Sequence, residues 1–238
     1  MSVKLIAHRG YAVHAPQNSI EAFEAAGRLG FWAIETDVRK TADGVLVCCH
    51  DAAVDSMFDG SGEISAMTWG ELERLNYRKD RMNGSICPGR MPTFGEYLFI
   101  CKEYGAIPFI ETKTMDVEEI FAEALHYYNE EQLIISSTNM EHLRIVRRLA
   151  KHVFIHHIFS DEASRSELAD MLPAGCSVNQ KDIDTFDPAW VPRIHALGLQ
   201  MCLRAGDTPE TVRRMDALGL DYIPTNCVTP KMLCTNPA

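Results

Sequence analysis

The sequence predicts an α/β fold: a closed (β/α)8 barrel with a small inserted segment after its second strand. Three observations carry this expectation. Eight short apolar runs alternate with helical patterns along the chain. Glycine stands between a helical pattern and the next apolar run at Gly30, Gly105, Gly198 and Gly219. The length, 238 residues, is close to that of one such barrel. A doubly wound open sheet shares the same βα grammar and is the architectural alternative.

The elements follow in order. Residues 3–7 form an apolar strand. Residues 19–29 are helical: Ser19 offers a cap, Glu21 places acid in the first turn, and Ile20, Phe23 and Ala26 keep helical spacing. Gly27 shares that face, where a small side chain permits close packing. The second strand spans 33–38, and 45–49 is a short strand folding back on it. Residues 51–91 break the rhythm with Asp59-Gly60-Ser61-Gly62, a short helix around 68–75 and a loop to Pro92. This excursion is too short for an independent domain, so residues 1–238 are expected to form one. Helices at 93–104, 117–129, 140–150, 164–172, 188–197 and 209–218 then alternate with strands at 107–112, 132–136, 153–158, 176–179, 199–203 and 222–224. Thr208-Pro209 sets a cap and a proline at the first helical position of the last helix.

Composition narrows the function. The formal charge of −10 argues against nucleic acid or an anionic membrane as a partner of the bulk field. A local basic pocket is still compatible with holding one phosphate. No apolar stretch approaches the roughly 18 residues that span a bilayer. The apolar run at the N-terminus ends at His8 and Arg9 before a signal-peptide core forms, which makes the cytoplasm the expected location. The eight cysteines, at 48, 49, 87, 101, 176, 202, 227 and 234, contain no CxxC pair and are expected as reduced, structural thiols.

Function in a βα fold sits at the carboxyl ends of strands. Four polar clusters end apolar runs: His8-Arg9-Gly10, Glu35-Thr36-Asp37, His50-Asp51 and Glu111-Thr112-Lys113. Residues two apart on a strand point the same way, so Glu35 pairs with Asp37 and Glu111 with Lys113. Three carboxylates on neighbouring strands make an oxygen-rich site suited to a hard divalent cation, Mg²⁺ or Ca²⁺. The same acids read equally well as structural ion pairs with Arg39, Lys113 or Arg9. His8 and His50 are two groups able to exchange protons near neutrality. Arg9 and Lys113 bring positive charge to the same mouth, and Gly10 permits close backbone approach. The combination suits metal-assisted cleavage of a phosphodiester, with one imidazole as base and the other as acid. By contrast, His156-His157 lies within an apolar run and reads as core or surface. Trp32, Trp69 and Trp190 read as packing, and the Arg-rich run at 144–148 as a solvated helix face.

These residues resemble the glycerophosphodiester phosphodiesterase family over nearly the whole chain. Ala7-His8-Arg9-Gly10 is similar to its HRG signature, Pro16-Gln17-Asn18-Ser19 to its PENT segment and Glu35-Thr36-Asp37-Val38 to its ExDV strand. Asp43-Gly44 through His50-Asp51 resembles the DG…HD hairpin, Met91-Pro92-Thr93-Phe94 the entry to a helix, and Glu111-Thr112-Lys113 the ExK strand. Residues 218–226 resemble the family's closing lGvDgIiTD motif. The resemblance implies a TIM barrel and the hydrolysis of glycerophosphodiesters to an alcohol and sn-glycerol 3-phosphate through a cyclic phosphate. It implies His8 and His50 as acid and base, Glu35, Asp37 and Glu111 as ligands of Mg²⁺ or Ca²⁺, and Arg9 and Lys113 on the phosphate. The partner implied is a small glycerophosphodiester, with no nucleic acid and no stable membrane insertion; a homo-oligomer is left open.

Departures from the pattern fall in the substrate pocket. Gln17 stands for the Glu of PENT, Asn226 for the usual Asp of the closing motif, and Cys202-Leu203-Arg204-Ala205 where the family often has Trp-Thr-Val-Asn. The change removes an aromatic wall and adds the cation of Arg204. Two other readings stand beside the hydrolase: a related barrel lipase acting on lysophospholipid or phosphoinositide head groups, and a catalytically inactive phosphate-ligand sensor. The lipase wants an apolar or basic rim, and no long apolar loop is evident. The sensor wants a lost histidine or ligand, and none is lost.

Overall fold

A computed structural model describes residues 3–78, 89–178 and 183–234. Eight parallel strands run in the order β8-β7-β6-β5-β4-β2-β1-β9. They are β1 (Leu5–Ala7), β2 (Ala33–Lys40), β4 (Ile107–Thr112), β5 (Ile134–Ser137), β6 (Phe154–His157), β7 (Ala174–Ser177), β8 (Gln200–Cys202) and β9 (Ile223–Thr225). The seam between β8 and β9 is spanned by two backbone bonds, Asp221 N–H to Met201 O and Gly206 N–H to Pro224 O, each 2.9 Å. The sheet is therefore a nearly closed barrel, and the open-sheet alternative is set aside. The short strand β3 (Leu46–Cys48) folds back antiparallel on β2, as expected.

Helices join the strands because their caps and apolar faces agree. In α1 (Ile20–Arg28) the Ser19 hydroxyl accepts from Ala22 N at 3.1 Å, and Ala22, Phe23 and Ala26 are buried. A Cβ on Gly27 would overlap the Tyr104 ring, so the small residue does permit close packing. After the short α2 (Trp69–Leu72), α3 (Phe94–Tyr104) opens on a Thr93/Glu96 capping box and closes on Gly105 at φ 67°. The remaining helices are α4 (Val117–Leu125), α5 (Met140–Leu149), α6 (Glu162–Ala169), α7 (Trp190–His195), α8 (Pro209–Ala217) and α9 (Pro230–Cys234).

Three apolar clusters result among the described residues. The largest, with Ile34, Val38, Phe23 and Leu98, fills the layer between strands and helices. A second, with Ile6, Ala33, Phe109, Cys202 and Tyr222, fills the barrel interior. A third packs Val54, Phe58, Ile64, Leu72, Tyr77 and Met91 of the excursion against Val47 of β3.

Several boundaries differ from expectation for physical reasons. The helix expected at 164–172 starts at Glu162 because Asp161 accepts from Ser164 N at 2.8 Å. The strand expected at 176–179 begins at Ala174, where Gly175 leaves room for the Tyr222 hydroxyl; its expected end, Asn179, lies outside the described residues. The helix expected at 117–129 stops at Leu125, and α9 has no counterpart in the expected series. The 144–148 run is not simply solvated: Arg147 donates to the carbonyls of Ala150, Lys151, Val153, Met171 and Pro173. Cys87, much of the excursion's closing loop (residues 79–88) and Met1-Ser2 also lie outside the described residues. Cys48, Cys49, Cys101, Cys176 and Cys202 are free and buried. No helix among the described residues is long and apolar enough to cross a membrane.

Candidate active site

Strand alternation turns Ile34 and Val38 of β2 toward the helices and Glu35 and Asp37 into the barrel. Parallel register sets Asp37 beside Glu111 of β4. One oxygen from each of Glu35, Asp37 and Glu111 lies within 4.8 Å of the other two. Burial, and then the charges of Asp37 and Glu111, push the Glu35 carboxyl well above the usual carboxylate range. Burial and Asp37 raise Glu111 as well. At Asp37 burial acts in the same upward direction, but Lys113 and Arg9 outweigh it and hold the carboxyl low.

The expected ion pairs and the expected ligand cluster coexist. Lys113 Nζ pairs with Glu111 and stands 3.1 Å from Asp37 Oδ1, while Arg9 Nε stands 3.2 Å from Asp37 Oδ2. Neither contact to Asp37 is aligned as a hydrogen bond: Arg9 Nε and Asp37 Oδ1 are buried without a hydrogen-bond partner. Arg39 takes no part and donates to the His50 carbonyl at 2.7 Å. Three carboxyl groups face two cations, with one carboxylate oxygen orphaned and a donor set made wholly of oxygen. That residue set fits a hard divalent cation.

The loop after β1 is tied down tightly. Arg9 and Asn18 have positive φ, 60° and 53°, a costly backbone for non-glycine residues. The bonds that hold it are Arg9 N–H to Glu35 Oε2 at 2.8 Å and Asn18 N–H to Arg9 O at 2.9 Å. Asn18 is fully engaged: its Nδ2 donates to Asp37 Oδ2, its Oδ1 accepts from Thr36, and its carbonyl accepts from Tyr77 of the excursion. Gln17 accepts from Arg9 Nη1 at 3.0 Å, a neutral partner in place of the family's acid. Gly10, at φ 77°, does permit close approach, but the neighbour is α1: a Cβ there would stand 2.7 Å from the Ala22 carbonyl carbon.

His8 and His50 come together at one cavity. His8 is deeply buried, and that burial, followed by the charge of Arg9, lowers its pKa to about 4. Its Nδ1 lies 2.9 Å from Asn226 Oδ1. His50 is half-buried, with Nδ1 2.7 Å from Asp51 Oδ1; burial lowers its pKa, against the pull of Asp37 and Asp51. The cavity, about 240 Å³, is lined by His8, Arg9, Glu35, His50, Glu111 and Lys113 on one side. The opposite wall has Ser136, Thr138, His156, Ile158, Phe159, Ser177, Cys202 and Arg204.

All seven sequence-derived site residues therefore meet, with six on the cavity wall and Asp37 just behind it. Sequence reasoning missed Asn18, Asp207 and Phe159. Asp207 was legible only as the residue before a helix cap, and nothing local marked Phe159, which holds φ 59°. Leu203 is buried in the outer core and faces away from the cavity, whereas Cys202 and Arg204 line it. Phe109 and Phe159 supply aromatic surface that position 202 lacks. His156 faces inward and bonds Tyr222, and His157 faces outward.

Residues 8–229 match the model of the glycerophosphoryl diester phosphodiesterase family. A glycerophosphodiester phosphodiesterase of Caldanaerobacter subterraneus subsp. tengcongensis is 35% identical over 161 residues, 65% of this chain and 66% of that protein. Mouse glycerophosphodiester phosphodiesterase 1 is 31% identical over 53% of this chain, and the match spans 40% of its own length. An Oleispira antarctica phosphodiesterase, solved in complex with the product sn-glycerol-3-phosphate, superposes with a TM-score of 0.83 at 24% identity, covering 96% of this chain and 94% of that one. The chain belongs to the glycerophosphoryl diester phosphodiesterase family.

Proposed function

We propose that this protein hydrolyses glycerophosphodiesters to an alcohol and sn-glycerol 3-phosphate, with Glu35, Asp37 and Glu111 holding Mg²⁺ or Ca²⁺. The observation that carries the reading is the convergence of two imidazoles, two cations and two carboxylates on one cavity of about 240 Å³, with a third carboxylate just behind it, in a chain of this family. Residues 1–238 read as one barrel domain, with the 51–91 excursion bracing the site through Tyr77 and Asn18.

The residues divide the work. Arg9 and Lys113 sit where a bound phosphodiester brings its charge, and both have capacity beyond their present partners. When bound, a divalent cation polarises a phosphoryl oxygen and helps acidify a hydroxyl. One imidazole takes the proton of the glycerol 2-hydroxyl as that oxygen bonds to phosphorus. The other gives a proton to the departing alcohol as its P–O bond breaks. The cyclic phosphate is then opened by water, with the two imidazoles exchanging roles. Asn18 and Thr36 hold Asp37 in place through this cycle.

The test is direct. Purified protein is given glycerophosphocholine and glycerophosphoethanolamine with Mg²⁺ or Ca²⁺, then with EDTA, and glycerol 3-phosphate is measured. Metal-dependent release is expected. A folded protein that binds metal and turns over neither these nor other glycerophosphodiesters would overturn the reading.

A further inference from the structure

The loop after β8 places Asp207 against the end of β9. Its carboxylate accepts from the Asn226 backbone N–H through Oδ1 and from Asn226 Nδ2 through Oδ2, both at 2.7 Å. Thr225 Oγ1 also donates to Oδ1, at 3.3 Å. Asn226 Oδ1 in turn lies 2.9 Å from His8 Nδ1. The chemistry of these groups removes any ambiguity about the amide. A carboxylate only accepts, so the amide nitrogen must face Asp207 and the amide oxygen must face His8. An amide oxygen also only accepts, so the ring nitrogen opposite must carry hydrogen.

We propose that Asp207, acting through Asn226, holds neutral His8 in its Nδ1–H tautomer and leaves Nε2 with a free lone pair at the cavity. Asp207 and Asn226 are then positioning residues, neither touching substrate. The relay differs from the pair behind His50, where the Asp51 carboxylate touches the ring directly and favours imidazolium. A neutral amide behind His8 fixes its orientation without adding charge, which suits a group that must begin the reaction unprotonated. Orientation by a hydrogen-bonded partner is the usual way a proton-transfer imidazole keeps the correct tautomer. In this chain the carboxylate stands one residue further back.

The tautomer itself is read by ¹H–¹⁵N long-range correlation spectra of the ring nitrogens at a pH where His8 is neutral, assigned by loss of its signals in H8Q. Wild-type protein is expected to show a protonated Nδ1 and an unprotonated Nε2. In D207A the freed amide turns over, and the spectra move toward the Nε2–H form or an exchange average. The exchange variant D207N/N226D restores the chain: the amide at position 207 donates to the carboxylate at position 226, which accepts from His8. It is expected to restore the Nδ1–H form, and the added charge shifts the acidic limb of the pH profile upward. The role assigned here rests on the proposed hydrolysis, so kinetics form a second arm: D207A should lower kcat about tenfold with KM within twofold, and the exchange variant should recover most of it. A wild-type Nε2–H tautomer, or an unchanged tautomer in D207A, overturns the relay whatever the activity. Protein that shows the expected tautomers but cleaves no diester leaves the relay standing and overturns the proposed function instead.

Discussion

The two halves of the barrel mouth are built from unlike material. The half formed by β1 to β4 brings His8, Arg9, Glu35, Asp37, His50, Glu111 and Lys113 together, each charged or able to exchange a proton. The half formed from β5 onward is a wall of Ser136, Thr138, Ile158, Phe159, Ser177, Cys202 and Pro224, with Arg204 the charged side chain among its described residues. The two halves divide the labour. Charged groups repel or must be paired when buried, so they are gathered where they compensate one another. The neutral wall costs little to desolvate, and under the proposed hydrolysis it suits selection of the alcohol that leaves.

The largest effect should come from the charged half. His8→Ala and His50→Ala each remove a group proposed to transfer a proton and should lower kcat by about 10³-fold or more, near the upper range of such contributions. Neither side chain belongs to the apolar clusters, so circular dichroism and melting temperature should remain close to wild type. Activity within tenfold of wild type in either variant would remove that residue from the chemistry and weaken the contrast between the halves.

A smaller effect should come from the cation on the neutral half. Arg204 is exposed at the cavity and makes no ion pair among the described residues. Arg204→Glu should leave kcat on glycerophosphocholine within about twofold. Its effect should appear in the ratio of kcat/KM for glycerophosphoserine to that for glycerophosphocholine. An exposed charge contributes about 0.5–1 kcal/mol, so the ratio should fall about 2–5-fold, measured by competing the two substrates. A large loss of kcat on both substrates would instead make Arg204 part of the chemistry and blur the division.

The same contrast explains what was legible in the sequence. Glu35 and Asp37, and Glu111 and Lys113, stand two apart on strands, so alternation alone places each pair on one face before any contact is known. His8 and His50 were legible because each ends an apolar run beside a charged neighbour. The far wall offers no such signal: Ser136, Ser177 and Cys202 are small residues in ordinary strands, and they become a wall only when the barrel closes. Asp207 and Asn226 are 19 residues apart and meet across the seam between β8 and β9, a contact that neither periodicity nor capping reveals. The strand at Ala174–Ser177 was misplaced for a related reason, because Gly175 owes its position to Tyr222, which arrives from the start of β9.

The smallest effect separates stability from catalysis within the neutral half. His156 is fully enclosed: Nδ1 lies 2.5 Å from the Tyr222 hydroxyl and Nε2 3.8 Å from Cys202 Sγ, with Phe109 against the ring. Burial, reinforced by neighbouring His157, lowers its pKa to about 3. In the unfolded chain the same ring has a pKa near 6.5. As pH falls through 6.5 the unfolded state therefore takes a proton that the folded state refuses until about 3. Stability is lost across that window, with a slope of up to one proton, and is unaffected by this group above it. His157, His142 and His8 are also lowered by burial and add to the same acid limb. His156→Gln keeps an amide able to meet Tyr222 but cannot protonate in this range. Urea unfolding from pH 7.5 to 4.5 should give a shallower decline in the variant than in wild type, with kcat at pH 7.5 within a few-fold. Parallel decline in the two proteins would mean that His156 is already charged in the fold, and the wall would then not be the neutral surface that sets it apart from the half facing it.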